Sequence, residues 1–559
     1  MALTKSAALA STPLFQIDSV ALPWRDRIKL SYDRARAISR LYDLNMNDVL
    51  TVSQKYWAFQ RDPIHTMDGA AATLLTIHYN LCLGTISMFP ESKAELVKKL
   101  LAFEVSGQYC LTEVGHGLDA MHLETTATLL ETGELEINTP TEAAAKFMPP
   151  TTPCGMPCVA VVFARLIVHG VDKGIRAILV PLHDGREMFP GITAKALSPR
   201  GGSQPVEHAL TYFQRVRVPG RSLLGQIDGK ALDPKTAFTH NIFRVVVGTL
   251  SMGALALSGL HVSSYVAGTY SMRRVVNDSV THQPKPIIAF STQKIPVLTA
   301  LAQIFVLEAF CNQTYEVFVA AENIQEKHFI AAVFKTTVCS HAFQNFSALG
   351  DRCGAQGLFG VNQISGVHVN IRGASIAEGD ILGISIRFAM DLIMGRVSAP
   401  ASSDPTGILF QHESSIRAEF REIVRSAGKT HSREAVDSLI LPRCQELICA
   451  VGDRLAVEAA RQRNVDPLLI DLYIASVVKE DAAWFSEHAR LSQGTQRRME
   501  REAVEALYPQ LQSMLERLEI AEYVTAPIVS DERWRSHVRG LPSFKGGNGT
   551  ESAVVEPWL

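Results

Sequence analysis

The sequence has almost no excess of charge, because 54 lysine and arginine residues are balanced by 56 aspartates and glutamates. It therefore has no polybasic character, and we expect no nucleic-acid partner. It also lacks an apolar run of the ~20 residues that a membrane span requires. Thr249–Leu260 is shorter than that and rich in small side chains, as a buried helix would be. We therefore expect no integral membrane segment.

Other absences narrow the class of protein further. The stretch from Met1 to Val20 has no sustained apolar core, unlike a secretory signal. Nine scattered cysteines are typical of free thiols in a reducing compartment rather than of a disulfide framework. Cys154 and Cys158 have no second ligand pair at suitable spacing, so we expect no metal site. Neither a Walker loop nor a Rossmann fingerprint occurs.

What the chain does contain is enough apolar sequence for several packed units. It has 559 residues, of which 47% are hydrophobic and 20% charged, whereas a single domain usually has about 100–150 residues. Helix-favouring stretches such as Ser92–Leu101 come first, and β-branched runs such as Cys158–Phe163, separated by glycine and proline turns, follow. Apolar residues then recur at helical spacing through Pro296–Ile324 and His328–Leu349.

These changes of pattern predict five segments. They are a helical domain (1–106), a small antiparallel β domain (107–235), a central helical bundle (236–402), a further helical domain (403–525) and a loosely ordered tail (526–559).

One segment is more informative than the rest. Tyr109–Thr128 reads YCLTEVGHGLDAMHLETTAT, and it closely resembles the flavin-facing segment of acyl-CoA oxidases. Further resemblances to that family occur in the family's order, over roughly residues 55–395: Phe59–Ile64, Pro190–Thr193, Val216–Gly225, Tyr270–Arg274 followed by Gln293, Cys353–Gly357 and Ala377–Asp380. Several matches in the right order make a chance resemblance improbable.

The resemblance implies an α+β fold of the acyl-CoA dehydrogenase/oxidase type, in which the central unit is a four-helix bundle that carries a catalytic glutamate. It implies FAD as cofactor, an acyl-CoA or acyl-carrier thioester as substrate, dioxygen as electron acceptor, and a homodimer. The implied reaction is α,β-dehydrogenation to the trans-2-enoyl thioester with release of hydrogen peroxide. Glu556–Leu559 ends in the leucine of a peroxisomal address but lacks the two residues before it, so the compartment stays open between peroxisome and cytoplasm.

Glu378 is the candidate catalytic residue. Forming a double bond next to a thioester requires a base for the α-proton and a sink for the β-hydride, and a carboxylate and a flavin supply the two. Partial desolvation would raise the pKa of Glu378 toward the working range. In the family the backbone amide of this glutamate also polarises the thioester carbonyl. The alternative is that Glu378 only caps a helix that begins at Gly379–Ile381.

The resemblance also suggests which residues hold the flavin. Thr112 would bond the flavin ring, Gly115 and Gly117 would let the backbone pass beside it, and Arg273 and Arg274 would neutralise the pyrophosphate of the partner subunit's flavin. The remaining expected cofactor residues are Pro150, Thr151, Gln293, Gly354 and Gly357. The alternative for Thr112, Gly115 and Gly117 is an ordinary glycine-rich turn. The alternative for Arg273 and Arg274 is that they are solvated at a helix end. His116 is as compatible with a structural role as with a catalytic one.

The chain departs from the family at several places. Phe147–Thr151 (FMPPT) replaces the usual Trp-Trp-Pro-Gly-Gly, and Pro150 cannot donate a hydrogen bond. Leu111, Ala355 and Ile381 replace the family's usual glutamine, glycine and asparagine. These changes suggest either a divergent oxidase with an unusual acyl substrate, as in a specialised biosynthetic pathway, or a relative with weakened flavin binding.

Two alternative functions therefore remain beside the oxidase. One is an acyl-CoA dehydrogenase that uses an electron carrier, although such chains typically end soon after the Glu-Gly segment, whereas this chain continues well beyond it. The other is a flavin-deficient scaffold or partner subunit of the same fold, for which the Pro150 loop is the support. Acyl chain length and branching stay open.

Overall fold

Among the residues that the structure describes, helices come first and last along the chain, and most of the strands lie between them. The computed structural model describes residues 4–89, 93–117, 119–227, 234–426 and 433–544. The N-terminal helices are α1 (Lys5–Ala10), α2 (Pro13–Gln16), α3 (Trp24–Tyr42), α4 (Met46–Thr51), α5 (Gln54–Gln60), α6 (Gly69–Leu75), α7 (Gly84–Ser87) and α8 (Ala94–Leu101), with a π-helix (Thr76–Leu83) between α6 and α7.

Local sequence explains where several of these helices begin. Asn45 and Asp48 form a capping box at the start of α4, in which each side chain accepts a bond from the other's backbone N–H. Asp68 caps α6 and is also paired with the buried Arg34 of α3, at 3.1 Å between Oδ2 and Nη1. The same carboxylate therefore starts one helix and holds another against it.

The strands of the middle unit form two sheets. They are β1 (Ser106–Cys110), β2 (Thr126–Leu129), β3 (Glu134–Asn138), β4 (Lys146–Phe147), β5 (Cys158–Val168), β6 (Val171–His183), β7 (Ile192–Ala196), β8 (Ala209–Phe213) and β9 (Val216–Pro219). The larger sheet has the order β1-β5-β2-β3-β9, with β6 on the other edge of β5, and the smaller has the order β4-β8-β7.

The larger sheet is mixed rather than antiparallel, which corrects the prediction for this unit. β1 and β2 both run parallel to β5, pairing with its first and second halves. β5 is buried along nearly its whole length, as is usual for a strand with parallel neighbours. Alternation of side chains along a strand does not encode the direction of the neighbouring strand, so the sequence pattern could not distinguish the two arrangements.

Long helices follow the strands. They are α9 (Pro234–Asn241), α10 (Phe243–Arg273), α11 (Ser291–Ala320), α12 (Ile324–Arg352), α13 (Ile364–Ile376) and α14 (Ile381–Ile393), with a small hairpin of β10 (Val275–Asn277) and β11 (Pro284–Pro286) after α10. The helices predicted at Pro296–Ile324 and His328–Leu349 are present as α11 and α12. Pro296 lies inside α11, close to its start.

The last helices pack against this central group. They are α15 (Ile408–Ser426), α16 (Cys444–Gln462), α17 (Pro467–Glu480), α18 (Ala482–Glu487), α19 (Gln493–Leu507), α20 (Leu511–Arg517) and α21 (Asp531–Gly540). A buried polar network joins the two groups: Tyr473 of α17 and His341 of α12 both bond to Asp453 of α16, at 2.7 and 2.8 Å.

The predicted tail is partly ordered, which corrects the expectation of a loose segment from residue 526. Ile528 is buried, α21 follows it, and Asp531 pairs with Arg273 at 2.5 Å. The contact between Asp531 and Arg273 holds α21 against the rest of the protein. The glycine-rich Lys545–Thr550 and the carboxyl-terminal Glu556–Leu559 lie outside the described residues.

Two helices among the described residues are long and apolar enough to cross a membrane by composition. They are α10 and α11, and 89% and 67% of their most apolar windows are buried inside the protein. A helix at the core of a folded protein has the same properties, so these helices are weak evidence for a membrane segment.

A buried ion pair holds the segment that follows β1. Lys146 and Glu113 lie 2.8 Å apart with no exposed side-chain surface, and Glu113 also accepts hydrogen bonds from Glu124 N–H and from Thr125. Burial alone would raise the pKa of Glu113, but Lys146 and these donors hold it below its ordinary value. The carboxylate therefore ties the motif to the body of the sheet.

We predict that Lys146→Met lowers the free energy of unfolding by about 3–5 kcal/mol, because it leaves the Glu113 carboxylate buried without a counter-ion. Urea titration followed by circular dichroism measures the change. Lys173→Met, at an exposed position of β6, is the control and should change the urea midpoint little. Equal effects of the two substitutions would contradict the structural role of the pair.

Candidate active site

Glu378 lies in the short connection between α13 and α14. Its φ angle is +54°, and that of Gly379 is +95°, so two successive residues are in the left-handed region. Asp380, not Glu378, caps α14, because its Oδ1 accepts bonds from Leu382 N and Gly383 N at 3.0 and 3.1 Å. The helix-cap interpretation of Glu378 is therefore wrong, and its carboxyl group is free for another role.

Side chains from two long helices hold this strained backbone. Lys335 of α12 donates from Nζ to the carbonyls of Ala377 and Gly379, both at 2.6 Å. Thr249 of α10 donates from Oγ1 to the carbonyl of Glu378, also at 2.6 Å. Three consecutive carbonyls are thus bound. A non-glycine residue in the left-handed region persists only where its surroundings impose it, and these bonds impose it here.

The carboxyl group of Glu378 turns toward α10 and the π-helix. Its Oε2 accepts a hydrogen bond from Asn80 Nδ2 at 2.8 Å. Gly248 of α10 makes room for it, since a Cβ at that position would stand 1.2 Å from Oε2. Burial raises the pKa of Glu378 from 4.5 to about 8, although Lys335, Arg244 and the Asn80 donor act in the opposite direction. This carboxyl group therefore titrates in the neutral range, as a general base should.

The β unit reaches the same place through β1. Burial raises the pKa of the Tyr109 hydroxyl well above its ordinary value, and the Glu378 carboxyl raises it further. The hydroxyl has no hydrogen-bond partner among the described residues. The fold therefore brings the motif of residues 109–128 to within electrostatic range of Glu378, which lies far away in the sequence.

Thr112 is the residue of this motif best placed to meet a ligand. It is only partly buried, and its hydroxyl makes no hydrogen bond to any residue that the structure describes, while its carbonyl accepts from Phe147 N at 2.9 Å. Gly117 is exposed, and a side chain there would meet nothing within 4 Å. Gly115 is less open, because a Cβ would touch Ala143. His116 pairs with Glu124, a structural contact.

The loop Phe147–Thr151, which departs from the family's usual sequence, has its last residues turned into the protein. Pro150 and Thr151 are buried, and the Thr151 hydroxyl is bonded to that of Thr211 at 2.7 Å. Met148 has a φ angle of +75°, and its carbonyl bonds to His208 Nδ1 at 2.6 Å. The side chains of residues 150 and 151 therefore serve the packing of this loop against β8.

The remaining expected cofactor residues differ in how far other parts of the protein already engage them. Arg273 is bonded to Asp531 and to the carbonyl of Ile528, so the C-terminal segment occupies it. Arg274 is exposed, and its guanidinium has no partner among the residues described. Gln293 donates to the Arg352 carbonyl at 3.2 Å, while its Oε1 is buried and unpaired within the described part of the chain.

The two glycines of the Cys353–Gly357 segment differ. Gly354, at a φ of +57°, faces open space. Gly357 is a packing residue, because a Cβ there would stand 2.2 Å from the carbonyl of Gly350. Only Gly354 is open to a ligand.

Sequence patterns missed the residues that surround the Glu378 carboxyl. Asn80, Arg244, Tyr56 and Lys335 are all buried. Arg244 precedes Val245–Val247, and its position within an apolar run was the one available signal that it has a buried polar role.

No protein-family model matches the chain. Among curated proteins it is similar to acyl-coenzyme A oxidase acox-3 of Caenorhabditis elegans, with 29% identity over 248 residues, which is 42% of this chain and 36% of that protein. The chain spans between about a third and about half of the length of the curated relatives that it matches first, and several of those are named as peroxisomal.

Solved structures match over nearly the whole chain. Acyl-CoA oxidase 1 of Yarrowia lipolytica superimposes with a TM-score of 0.81 at 18% identity, covering 99% of this chain and 94% of that one. The chain therefore has the fold of the acyl-CoA oxidases, and the curated proteins that it resembles carry that name. Acyl-CoA oxidase-1 of C. elegans, solved with FAD and ATP, gives a TM-score of 0.78 at 18% identity, covering 96% and 90% of the two chains.

The match confirms the α+β fold of the acyl-CoA oxidase family that the motifs implied. It assigns no role to any individual site residue, so each is judged by whether its atoms are already bonded or packed within the protein. By that criterion Glu378, Thr112, Gly117, Arg274, Gln293 and Gly354 keep a free atom or open space, whereas Thr151, Arg273 and Gly357 are engaged within the protein.

We predict that Glu378 makes stability fall as pH rises from about 5 to 8. Its pKa is higher in the folded protein than in the unfolded chain, so its contribution is fully present below pH ~4.5 and is lost as pH rises through about 8. Glu378→Gln cannot ionise, so the difference in melting temperature between the variant and the wild type should grow over this range. A constant difference would contradict the raised pKa.

The comparison with the variant is needed because other groups act on the same curve. Burial lowers the pKa of His78 to about 4, which makes stability rise with pH below ~6.5. Burial also lowers the pKa of Lys335 to about 8. Lys335 therefore influences the pH dependence of stability only between pH ~8 and ~10.5, which is above the range used for Glu378.

We predict that Lys335→Met destabilises the protein by about 1.5–3 kcal/mol, because the carbonyls of Ala377 and Gly379 lose a charged donor. Urea titration measures the change, and limited proteolysis should detect new cleavage between α13 and α14. Lys29→Met, at an exposed position of α3, is the matched control. Wild-type stability and protease resistance in the Lys335 variant would show that the connection holds its shape unaided.

Proposed function

We propose that this protein is a flavin-dependent acyl-CoA oxidase that converts an acyl thioester to its trans-2-enoyl thioester and passes electrons to dioxygen, forming hydrogen peroxide. The observation that carries the proposal is Glu378, whose carboxyl group has a pKa near 8 and lies within electrostatic range of Tyr109 in β1. An α-proton next to a thioester is weakly acidic, and a desolvated carboxylate of raised basicity is suited to remove it.

Glu378 acts after losing its own proton. In its ionised form it would take the α-proton of a bound thioester at Oε1 or Oε2, and Lys335 and Thr249 would keep the peptide around it from shifting. These bonds also hold the Glu378 backbone N–H in one orientation, as polarisation of a thioester carbonyl requires. FAD, when bound, would supply the acceptor for the hydride that leaves the β-carbon.

The residues present fit a flavin in part. The unpaired hydroxyl of Thr112, the open surface at Gly117 and the unpaired Oε1 of Gln293 are free groups of the kind that a polar cofactor uses. Arg274 offers a free guanidinium for a pyrophosphate. We therefore assign these residues to FAD, and Gly354 to backbone contact with it. The acyl-CoA oxidase-1 structure from C. elegans was solved with FAD, which supports the choice of cofactor.

A second candidate function is a flavin-deficient partner subunit of the same fold. The inward-turned loop favours it, because Pro150 has no N–H and the Thr151 hydroxyl is already bonded to Thr211. Residues 150 and 151 could then contribute to a flavin site only if the loop moved.

The partners follow from the same proposal. The substrate is an acyl thioester of coenzyme A or of an acyl carrier, the acceptor is dioxygen rather than an electron carrier, and the assembly is a homodimer in which Arg274 of one subunit serves the flavin of the other. The names of several curated relatives support a peroxisomal location.

The purified protein tests the two functions directly. We expect a yellow protein that bleaches on addition of a suitable acyl-CoA without oxygen, and that releases hydrogen peroxide under air. Bleaching without peroxide would favour a dehydrogenase. A colourless protein that cannot be reconstituted with FAD would favour the flavin-deficient subunit.

We predict that Glu378→Gln keeps flavin and acyl-CoA binding but loses turnover by at least about 100-fold, the lower end for removal of a general base. Single-turnover bleaching and peroxide release measure the loss. Glu104→Gln, at an exposed position, is the control and should behave as the wild type. Turnover close to wild type in the Glu378 variant would remove Glu378 from the mechanism.

A further inference from the structure

We infer that Asn80 is a positioning residue for Glu378. Its amide bonds to both Arg244 and Glu378, so that the positive charge of the buried Arg244 acts on the Glu378 carboxyl group through it. The inference about the charge of Glu378 stands on the structure alone. Its consequence for turnover rests on the proposed function.

Asn80 is fully buried and uses both ends of its amide. Its Oδ1 accepts bonds from Arg244 Nη2 at 2.9 Å and from the Tyr56 hydroxyl at 3.2 Å. Its Nδ2 donates to Glu378 Oε2 at 2.8 Å and to the Arg244 carbonyl at 3.0 Å. Arginine can only donate, so the Asn80 oxygen must face Arg244. The amide N–H group therefore has to face Glu378.

Arg244 is a buried cation whose direct contacts are all neutral. It donates to the carbonyls of Asn80 and Val49 at 3.0 and 2.9 Å, and to Tyr56 and Asn80 side-chain oxygens. No carboxylate lies within ion-pair distance of it among the residues described. Burial of an unpaired charge is costly, so the nearest carboxyl group, that of Glu378 beyond Asn80, is its natural counter-charge.

The backbone is shaped to accommodate this arrangement. Asn80 lies on the π-helix, a rare form that is frequent at functional sites. Gly84, just beyond that π-helix, leaves room for Arg244, since a Cβ there would stand 2.1 Å from Nε. Gly248 does the same for the Glu378 carboxyl group. Two glycines and one π-helix thus leave room for a cation, an amide and a carboxyl group in a row.

The groups that act on the Glu378 carboxyl come from every element around it. They are Asn80 on the π-helix, Arg244 on α10, Lys335 on α12, Tyr56 on α5 and Tyr109 on β1. Arg244 and Lys335 are cations, and both favour the ionised form. Asn80 is the one that touches the carboxyl oxygen, and a hydrogen bond donated to a carboxylate also favours the ionised form. It therefore sets both the direction of the carboxyl group and part of its acidity.

Asn80→Asp tests the inference with almost no change of shape. The introduced carboxylate can still accept from Arg244 and Tyr56, but it presents an oxygen to Glu378 where a donor stood, so the two carboxyl groups should share a proton. Infrared difference spectra measure the carboxylic acid C=O band that Glu378→Gln abolishes. We expect the titration midpoint of this band near pH 8 in the wild type. In Asn80→Asp we expect a midpoint that is higher by at least about one pH unit.

Two further variants complete the test. Asn80→Ala removes the donor without adding charge, so its midpoint should rise by less than that of Asn80→Asp. Asn345→Asp alters another buried asparagine, which bonds to Gln303 and to the His341 carbonyl far from Glu378, and should leave the midpoint unchanged. A midpoint that stays the same or falls in both Asn80 variants would overturn the inference.

The kinetic readout separates this inference from the proposed function. If the protein oxidises acyl-CoA, the pH profile of kcat should shift upward in Asn80→Asp along with the infrared midpoint, with little change in KM. A merely structural role for Asn80 would lower kcat without moving its pH profile. If no acyl-CoA is oxidised by any variant, the infrared midpoints still decide the role of Asn80, and only the proposed function fails.

Discussion

The removal of one carboxyl group from water is the constraint on which the rest of this site depends. Glu378 is expensive to ionise where it lies, and its pKa rises to about 8. The two nearby cations, which would lower this pKa if they bonded to the carboxyl group directly, do not do so. Arg244 acts through Asn80, and Lys335 bonds to the carbonyls of Ala377 and Gly379 on both sides of Glu378. The group is therefore basic enough to take a proton and held firmly enough to meet it in one place.

The same helical segment joins this carboxyl group to the β unit. The π-helix carries Asn80, which contacts Glu378, and His78, whose Nδ1 accepts from Gly107 N of β1 at 2.9 Å while Nε2 donates to the Leu100 carbonyl. Both nitrogens of His78 are used, so burial keeps the ring neutral and lowers its pKa to about 4. The flavin-type motif and the candidate base are thus fastened to one short stretch of chain.

Much of this could be predicted from sequence, because motifs are local. Glu378 and the segment around Thr112 were found through residues next to them, and α11 and α12 through their helical spacing. The parallel pairing of β5 and the order in α21 were missed, since both depend on a distant neighbour. So were Asn80, Arg244 and Lys335, whose function lies in contacts between residues more than forty positions apart.

The sequence alone determined the succession of helices and strands, the resemblance to acyl-CoA oxidases and the identity of the candidate base, because each is written in short runs of residues. The tertiary structure decided which of the expected residues keep a free atom and how acidic Glu378 is. Thr112 stays open whereas Thr151 is turned inward and bonded to Thr211. The reason is physical: desolvation and hydrogen-bond satisfaction are properties of a packed neighbourhood, which forms only when distant parts of the chain meet.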